Sequence, residues 1–392
     1  MKTFDFAVVG KGMMGAAAAR HLARFGARVV LVGPDEPANR RTHGGVFASH
    51  YDSGRITRTI DADPDWALLA QRSIARYAEI EAESGISFHT EVGCVIAAPK
   101  AGEAIMRFIA TRDRVGVDVA ELDPAELRSA FPALRFPEEY TGLLEMRAAG
   151  IIDPRALVAA QVRLAKAAGA TVITAEVAAV HDRGRHVEVS TVNGERYAAA
   201  RTLVAVGGFS IRSELLPRPL DLKVKARTVL LAEVQPEDVG RYAAMPCVIC
   251  SGTGDADSFY VLPPVRYPDG GLKIKIGGDP SDRLLANESV IRAWFSGDGD
   301  TAAAAHMRRH LEALLPDLRP GAFSTMPCVT TCTRHGHPYI GFAESHRIIV
   351  LTGGNGAAAK SSDEIGRLGA LLAADGRICT DEYMTNFEVC FL

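Results

Sequence analysis

Gly10, Gly12 and Gly15 stand at Gly-x-Gly-x-x-Gly spacing, between the apolar run ending at Val9 and the helix-like stretch Ala16-Ala-Ala-Ala-Arg-His-Leu-Ala. In a strand–turn–helix unit this spacing binds the pyrophosphate of a dinucleotide. Gly10 permits the tight turn, Gly12 lets the backbone approach the phosphates, and Gly15 lets the helix pack close to the strand. Met13 and Met14 open the helix, whose free N–H groups and positive dipole end suit an anion. The spacing by itself does not choose between FAD and NAD(P). The acid expected some twenty residues on, at the end of the second strand, hydrogen-bonds a ribose hydroxyl. Here Gly33 occupies its place, so Asp35, Glu36 or backbone groups are left for that task. No basic residue replaces the acid, which argues against a 2′-phosphate.

Cationic side chains form the next group. His50, Arg55 and Arg58 fall within nine residues and can crowd one face of a loop. Lys273 and Lys275 point to the same side of a strand, so register decides between them. The seven cysteines are odd in number and scattered, which reads as reduced thiols. Cys247 and Cys250 have CxxC spacing, and Cys328 and Cys332 are four apart. Zinc needs four closely placed ligands, so no metal is expected.

These residues must be positioned by a chain of mixed character. A first βαβ unit covers about residues 3–33. A helical pattern runs from Asp65 to Ser84, and a short strand at Val95–Ala98 precedes two helical segments before 145. Asp153 reads as an N-cap with Pro154 at the first helical position, opening a helix to Ala168. A hairpin-like pair surrounds Asn193-Gly194, and the strand Arg201–Val206 runs into Gly207-Gly208. Alternating strands predominate from 220 to 320, followed by a helix from Thr301 to Leu315. The end returns to α/β character, with a strand at 347–351, the glycine run 353–356 and a helix from Ser361 to Leu372.

With 392 residues, two lobes are expected. A net charge of −3 gives no reason to expect nucleic acid or an anionic membrane as a partner. No apolar run approaches a bilayer span, and the first strand begins too early for a leader. A cytoplasmic protein, monomeric or a small homo-oligomer, is expected. Nucleotide-type elements at the start, middle and end imply a discontinuous cofactor domain rather than two beads on a string. That layout leans toward FAD. The fold class expected is α/β, with a discontinuous Rossmann-like FAD-binding domain (1–85, 146–215 and 322–392). An α+β substrate domain on a mostly antiparallel sheet (86–145 and 216–321) is interleaved with it.

The chain resembles the glycine oxidase, sarcosine oxidase and D-amino-acid oxidase group of FAD oxidoreductases, most of all the monomeric sarcosine oxidase and N-methyltryptophan oxidase branch. Four ordered segments carry the resemblance: the opening fingerprint, Ser49-His-Tyr-Asp-Ser-Gly-Arg-Ile-Thr-Arg58, Cys328-Val-Thr-Thr-Cys-Thr-Arg-His-Gly-His337, and Gly353-Gly-Asn-Gly-Ala-Ala-Ala-Lys360. It implies bound FAD and, through Cys328, a covalent thioether to the flavin. A thiolate suited to that attachment needs an electropositive neighbourhood, and Arg334 and His335 lie close in sequence. It also implies that Arg58 engages a substrate carboxylate with Lys360 assisting, a chemically apt pairing for guanidinium. Tyr260 matches an aromatic pocket position, although a core tyrosine fits equally well. Lys275 matches the lysine beside the flavin that stabilises charge as oxygen is reduced, with Arg55 and His50 as further catalytic candidates. Cofactor contacts extend to Asp35, Ser49, Val177, Gly207, Gly354, Asn355, Gly356 and Lys360.

The implied reaction is FAD-dependent oxidation of the C–N bond of a carboxylated amine, with oxygen as acceptor. The alternatives are a dehydrogenase feeding a quinone or carrier, and a non-catalytic flavin-binding subunit. Two departures bear on specificity. Asp279 stands where the branch often has histidine, and Ala357-Ala-Ala359 replaces a bulkier run, which implies a substrate larger than sarcosine.

Overall fold

The computed structural model describes residues 2–392 apart from the side chain of Asp255; Met1, in the first expected segment, lies outside them. Strand Lys2–Val9 turns through Gly10 into helix Met13–Arg24 and returns as strand Val29–Val32. Its helix buries Ala16 to Ala19, Leu22 and Ala23. An added Cβ at Gly15 would stand 1.9 Å from the Gly10 carbonyl oxygen, so only glycine permits this helix to sit so close to the turn.

The first strand pairs in parallel with Val29–Val32 on one side and with Arg196–Val204 on the other. Parallel pairing continues from Val29–Val32 to Thr171–Ile173 and from Arg196–Val204 to Ile348–Thr352. Segments far apart in sequence therefore build one eight-stranded sheet. The hairpin at Asn193-Gly194 joins Val187–Thr191 antiparallel to Arg196–Val204, and Val177–Asp182 adds the antiparallel edge beyond it. Asp153 caps helix Pro154–Ala167 by accepting from Ala156 N at 3.0 Å, worth about 1 kcal/mol.

A second eight-stranded sheet follows the order Phe323–Thr333, Leu222–Glu233, Leu272–Gly277, Phe259–Arg266, Cys247–Cys250, Cys94–Pro99, Tyr140–Glu145, Ala120–Leu122. All its pairs are antiparallel except Cys247–Cys250 with Cys94–Pro99. Helix Thr301–Leu314 covers one face through Ala303, Met307, Leu311 and Leu314. Strand Phe323–Thr333 departs from the expected segmentation. Read from sequence as cofactor-domain material, it is the edge of this second sheet, because it pairs along eleven positions with Leu222–Glu233. A small third sheet joins Arg55–Thr57, Gly150–Ile152 and His89–Glu91.

Two helices differ from expectation. The pattern from Asp65 to Ser84 is two helices, Pro64–Ile74 and Tyr77–Ser84. Arg76 stands at the break and reaches Asp363 at 2.5 Å and Glu364 at 2.7 Å. The last helix begins at Ser362 and runs to Asp375. Among the described residues no helix is long and apolar enough to cross a membrane.

Candidate active site

Between the two large sheets lies a cleft with about 1420 Å3 of open space. Gly10, Gly12, Met13 and Met14 form one end of its wall. Gly12 caps the helix with extended backbone, no side chain caps it, and its first turn holds no acid. The amide groups there remain free for an external anion. Ser49, His50 and Arg55 form a second stretch of wall, with Val177 and Gly207 beyond. Cys328, Gly354, Gly356, Ala358 and Ala359 complete the segments expected from sequence.

The ribose question has a steric answer. A Cβ at Gly33 would lie 2.5 Å from the Lys11 amide nitrogen, so no acidic side chain fits that place. Asp35 pairs instead with Lys11, and it is not part of the cleft wall. Glu36 is held bidentately by Arg155, at 2.6 and 2.7 Å.

Cys328 is buried on strand Phe323–Thr333. Its positive neighbour is Arg55, whose Nη2 lies 3.3 Å from Sγ, and not the sequence-adjacent pair. His335 is turned away, with Nε2 2.9 Å from the Glu388 carbonyl oxygen, and Arg334 lends its backbone N–H to Tyr339. Arg55 also donates to the Ser49 carbonyl at 3.0 Å and lies 3.3 Å from Asp52. Burial opposes the Arg55 charge, but Cys328 and Asp52 outweigh it and raise its pKa. His50 stands edge-on to Tyr51 with ring centroids 4.6 Å apart. Burial, with Arg155 and Lys11 nearby, lowers its pKa to about 3. Its ring is therefore neutral near pH 7, suited to packing and hydrogen bonding rather than to acting as an acid.

Lys275 is completely buried. Its ammonium donates to Asp52 and to the Gly54 carbonyl at 2.7 Å, and it faces the Tyr260 ring at 5.9 Å. Burial alone would raise the Asp52 pKa, yet Lys275 and Arg55 hold this carboxyl well below the usual range. Asp52 further accepts from Tyr267 Oη at 3.1 Å. Strand register separates the two lysines: Lys273, two residues earlier, pairs with Asp269 and lines a second cavity of about 1070 Å3. That cavity also reaches Asp52, Arg55 and Cys328.

Arg58 and Lys360 meet on one atom. Arg58 Nη1 donates to Asp61 Oδ2 at 2.9 Å, and Lys360 Nζ lies 3.0 Å from the same oxygen. Burial pulls the Lys360 pKa down to about 8, partly offset by Asp61. Arg58 Nε is buried without a hydrogen-bond partner among the described residues. Arg58, Lys360, Lys275 and Tyr260 line neither of these two cavities. Tyr260 packs its ring over Gly277, where a Cβ would clash at 2.3 Å, and leans on the cluster of Cys94, Cys247 and Leu262. It is thus a half-buried tyrosine packed against that cluster.

One further expectation changes. Asn355 is turned out of the cleft wall and ties the glycine loop to strand Phe323–Thr333, accepting from Thr333 N at 3.0 Å and donating to the Gly353 carbonyl at 2.7 Å. Helix Ser362–Asp375 carries Asp363 and Glu364 in its first turn. Those carboxylates pair with Arg20, Arg76 and Arg367. Asp279, at the departure noted above, accepts from Thr228 N at 2.7 Å and Ser281 N at 2.8 Å, which binds it to backbone.

Several wall and wall-supporting residues had no sequence signal. Glu176 accepts from Val46 N at 3.1 Å and pairs with Arg212 and Arg292 at 3.2 and 2.7 Å. Phe47 stacks on Phe295 with centroids 5.1 Å apart. Asp52 and Asp61, the counter-ions of the cationic set, were likewise unmarked. Asp63, Asp65 and His337 bring potential ligand atoms within 4.8 Å of one another. Those donors are spent on structure: Asp63 caps helix Pro64–Ile74, and Asp65 accepts from Met384 N and Thr385 N.

Comparison with known proteins decides the family. The family model described as FAD dependent oxidoreductase matches residues 5–372. The chain belongs to the FAD-dependent oxidoreductase family. Among members of this family it is 27% identical to monomeric sarcosine oxidase from Bacillus sp. (strain B-0618), over 98% of this chain and 95% of that one. It is 25% identical to the mouse (Mus musculus) peroxisomal sarcosine oxidase, over 93% and 90%. The solved structure of NikD, described as an unusual amino acid oxidase essential for nikkomycin biosynthesis, superposes with a TM-score of 0.78 at 21% identity, covering 100% of this chain and 99% of that one. The α/β architecture is that of FAD-dependent oxidases, and the enzyme is an FAD-dependent oxidoreductase similar in sequence to the sarcosine oxidases. The uncapped helix start at Gly12 and the glycine-lined wall fit FAD, the family's cofactor. Met13, Met14, Val177 and Gly207 stand where they would hold it.

Proposed function

We propose that this flavoenzyme oxidises the C–N bond of a secondary or N-alkyl amino acid and passes the electrons to oxygen, giving an imine that hydrolyses and hydrogen peroxide. Bound FAD supplies the hydride acceptor. The observation carrying this reading is Arg58: Nη1 is anchored on Asp61 while Nε is buried and unpartnered. A buried guanidinium N–H without an acceptor is costly, and a substrate carboxylate would satisfy it in a charge-assisted bond. Lys360 steadies that arginine through Asp61. On the other side Lys275 and Arg55 share Asp52, leaving a net positive charge buried near Cys328. Such preorganised charge favours electron transfer to oxygen. No side-chain base is assigned, since a neutral amine suffices. The small residues Ala358 and Ala359 in the cleft wall agree with a substrate larger than sarcosine. Segments 1–85, 146–215 and 322–392 form the cofactor portion in this reading, with Phe323–Thr333 bridging to the substrate portion.

Anaerobic titration of the purified protein with N-methyl, cyclic and sugar-modified amino acids tests the proposal. Bleaching of the flavin by at least one carboxylated amine, with peroxide formed under air, is expected. Bleaching with dye reduction but no peroxide points to a dehydrogenase, which the Asp52 counter-ion on Lys275 would favour. No bleaching by any carboxylated amine leaves only a flavin-binding subunit.

Cys328 is proposed as the covalent attachment point, with the Arg55 guanidinium 3.3 Å from its sulfur. Cys328→Ser should release all flavin on acid precipitation, whereas wild-type flavin stays in the pellet. Flavin retained by the variant would place the attachment elsewhere.

A further inference from the structure

We propose that Asp61 determines the specificity of the anion site: by occupying both cations it limits the site to a single carboxylate, received on the free edge of Arg58. This rests on reading Arg58 as the group that engages the substrate acid. Arg58 Nη1 and Lys360 Nζ converge on Asp61 Oδ2 at 2.9 and 3.0 Å, and the three side chains are 13%, 4% and 12% exposed. Among the described residues, the only other hydrogen bond of the Lys360 ammonium is to the Trp66 carbonyl at 3.3 Å. Two of the three Lys360 N–H groups are therefore committed within the fold. Arg58 keeps Nε for a ligand, because Nε has no partner among the described residues.

Charge leads to the same limit. Two cations and one carboxylate sum to +1, and a bound monocarboxylate brings the group to neutrality. Without Asp61 the pair would carry +2 in a buried place, suited to two acid groups. Glu145 stands close by and keeps its charge on the amides of Thr59 and Ile60, at 2.9 Å each. It makes no ion pair with either cation among the described residues, and its charge is common to wild type and variants, so the change at Asp61 is what alters the balance. Asp61 is thus a positioning residue for Arg58 and Lys360, and also an anion that competes with the substrate acid for them.

Asp61→Asn keeps the size and removes the competing charge. Binding of propionate and of its neutral isostere propionamide is read from the perturbation of flavin absorbance in the holoenzyme, which needs no turnover. In the variant the propionate Kd should fall about tenfold relative to the propionamide Kd, since a like charge beside the ligand has been removed. An unchanged or reduced preference for propionate overturns the proposal and leaves the Arg58 assignment standing. Propionate that perturbs neither protein overturns the Arg58 reading and the proposal with it. The double variant Asp61→Asn, Lys360→Met restores the net charge to +1 and guards against loss of folding in the single one. Its acid-to-amide ratio should return to within about twofold of wild type; a ratio that stays at the single-variant value would also overturn the proposal.

Discussion

Lys275→Met should slow reoxidation of the reduced flavin by oxygen by about 10²–10³-fold, the range for removing one preorganised charge-stabilising group. Flavin reduction by substrate should change far less. The reason is that negative charge develops on oxygen only in the second half-reaction. Stopped-flow measurement of the two half-reactions separates them, and equal losses in both would refute the oxygen role. The same variant takes one of two counter-ions from Asp52, which is 2% exposed and is left with Arg55 alone at 3.3 Å. Breaking a buried pair from one side costs about 3–5 kcal/mol. Asp52→Asn in the Lys275→Met background should recover most of that stability without restoring the oxygen reaction. Recovery of both would mean that Lys275 acts only by holding Asp52.

Asp363→Ala should be the most destabilising single change in the nucleotide-binding half. Asp363 is fully buried and accepts from Arg20 and Gln161 at 2.8 Å each and from Arg76 at 2.5 Å, with His21 at 3.3 Å. It ties helices Met13–Arg24, Pro154–Ala167 and Ser362–Asp375 together with the break at Arg76. Removing it leaves the buried Arg20 guanidinium uncompensated, at a cost of about 3–5 kcal/mol. Urea denaturation of the holoenzyme measures this; a loss below about 1 kcal/mol would show the cluster to be replaceable. Burial alone would raise the Asp363 pKa, but His21 and Arg20 hold it far below the normal value. A depressed folded-state pKa stabilises the protein above the unfolded carboxylate value of about 3.9. That contribution is fully present at neutral pH and fades as pH falls below that value.

These ion clusters mark where sequence reading stops. The dinucleotide turn was legible because its physics is local: three glycines, a strand and a helix lie within some twenty residues, and steric room decides the outcome. The Asp153-Pro154 helix start, the Asn193-Gly194 hairpin and the interleaved layout were legible for the same reason, since caps and turns draw on neighbours in the chain. Resemblance added Arg58, Lys275, Cys328 and Lys360 as types at positions, without their partners. Tertiary structure alone decided those partners. Lys275 and Asp52 are separated by 223 residues, and Arg55 and Cys328 by 273. No periodicity links such pairs. The strand Phe323–Thr333 joined the second sheet by pairing with Leu222–Glu233, although the strands that follow it, Tyr339–Phe342 and Ile348–Thr352, belong to the first. An isolated cation in a sequence has a charge but no counter-ion. Only packing, which buries the charge and makes an unpaired one expensive, selects the carboxylate that meets it and so sets what charge remains for a ligand.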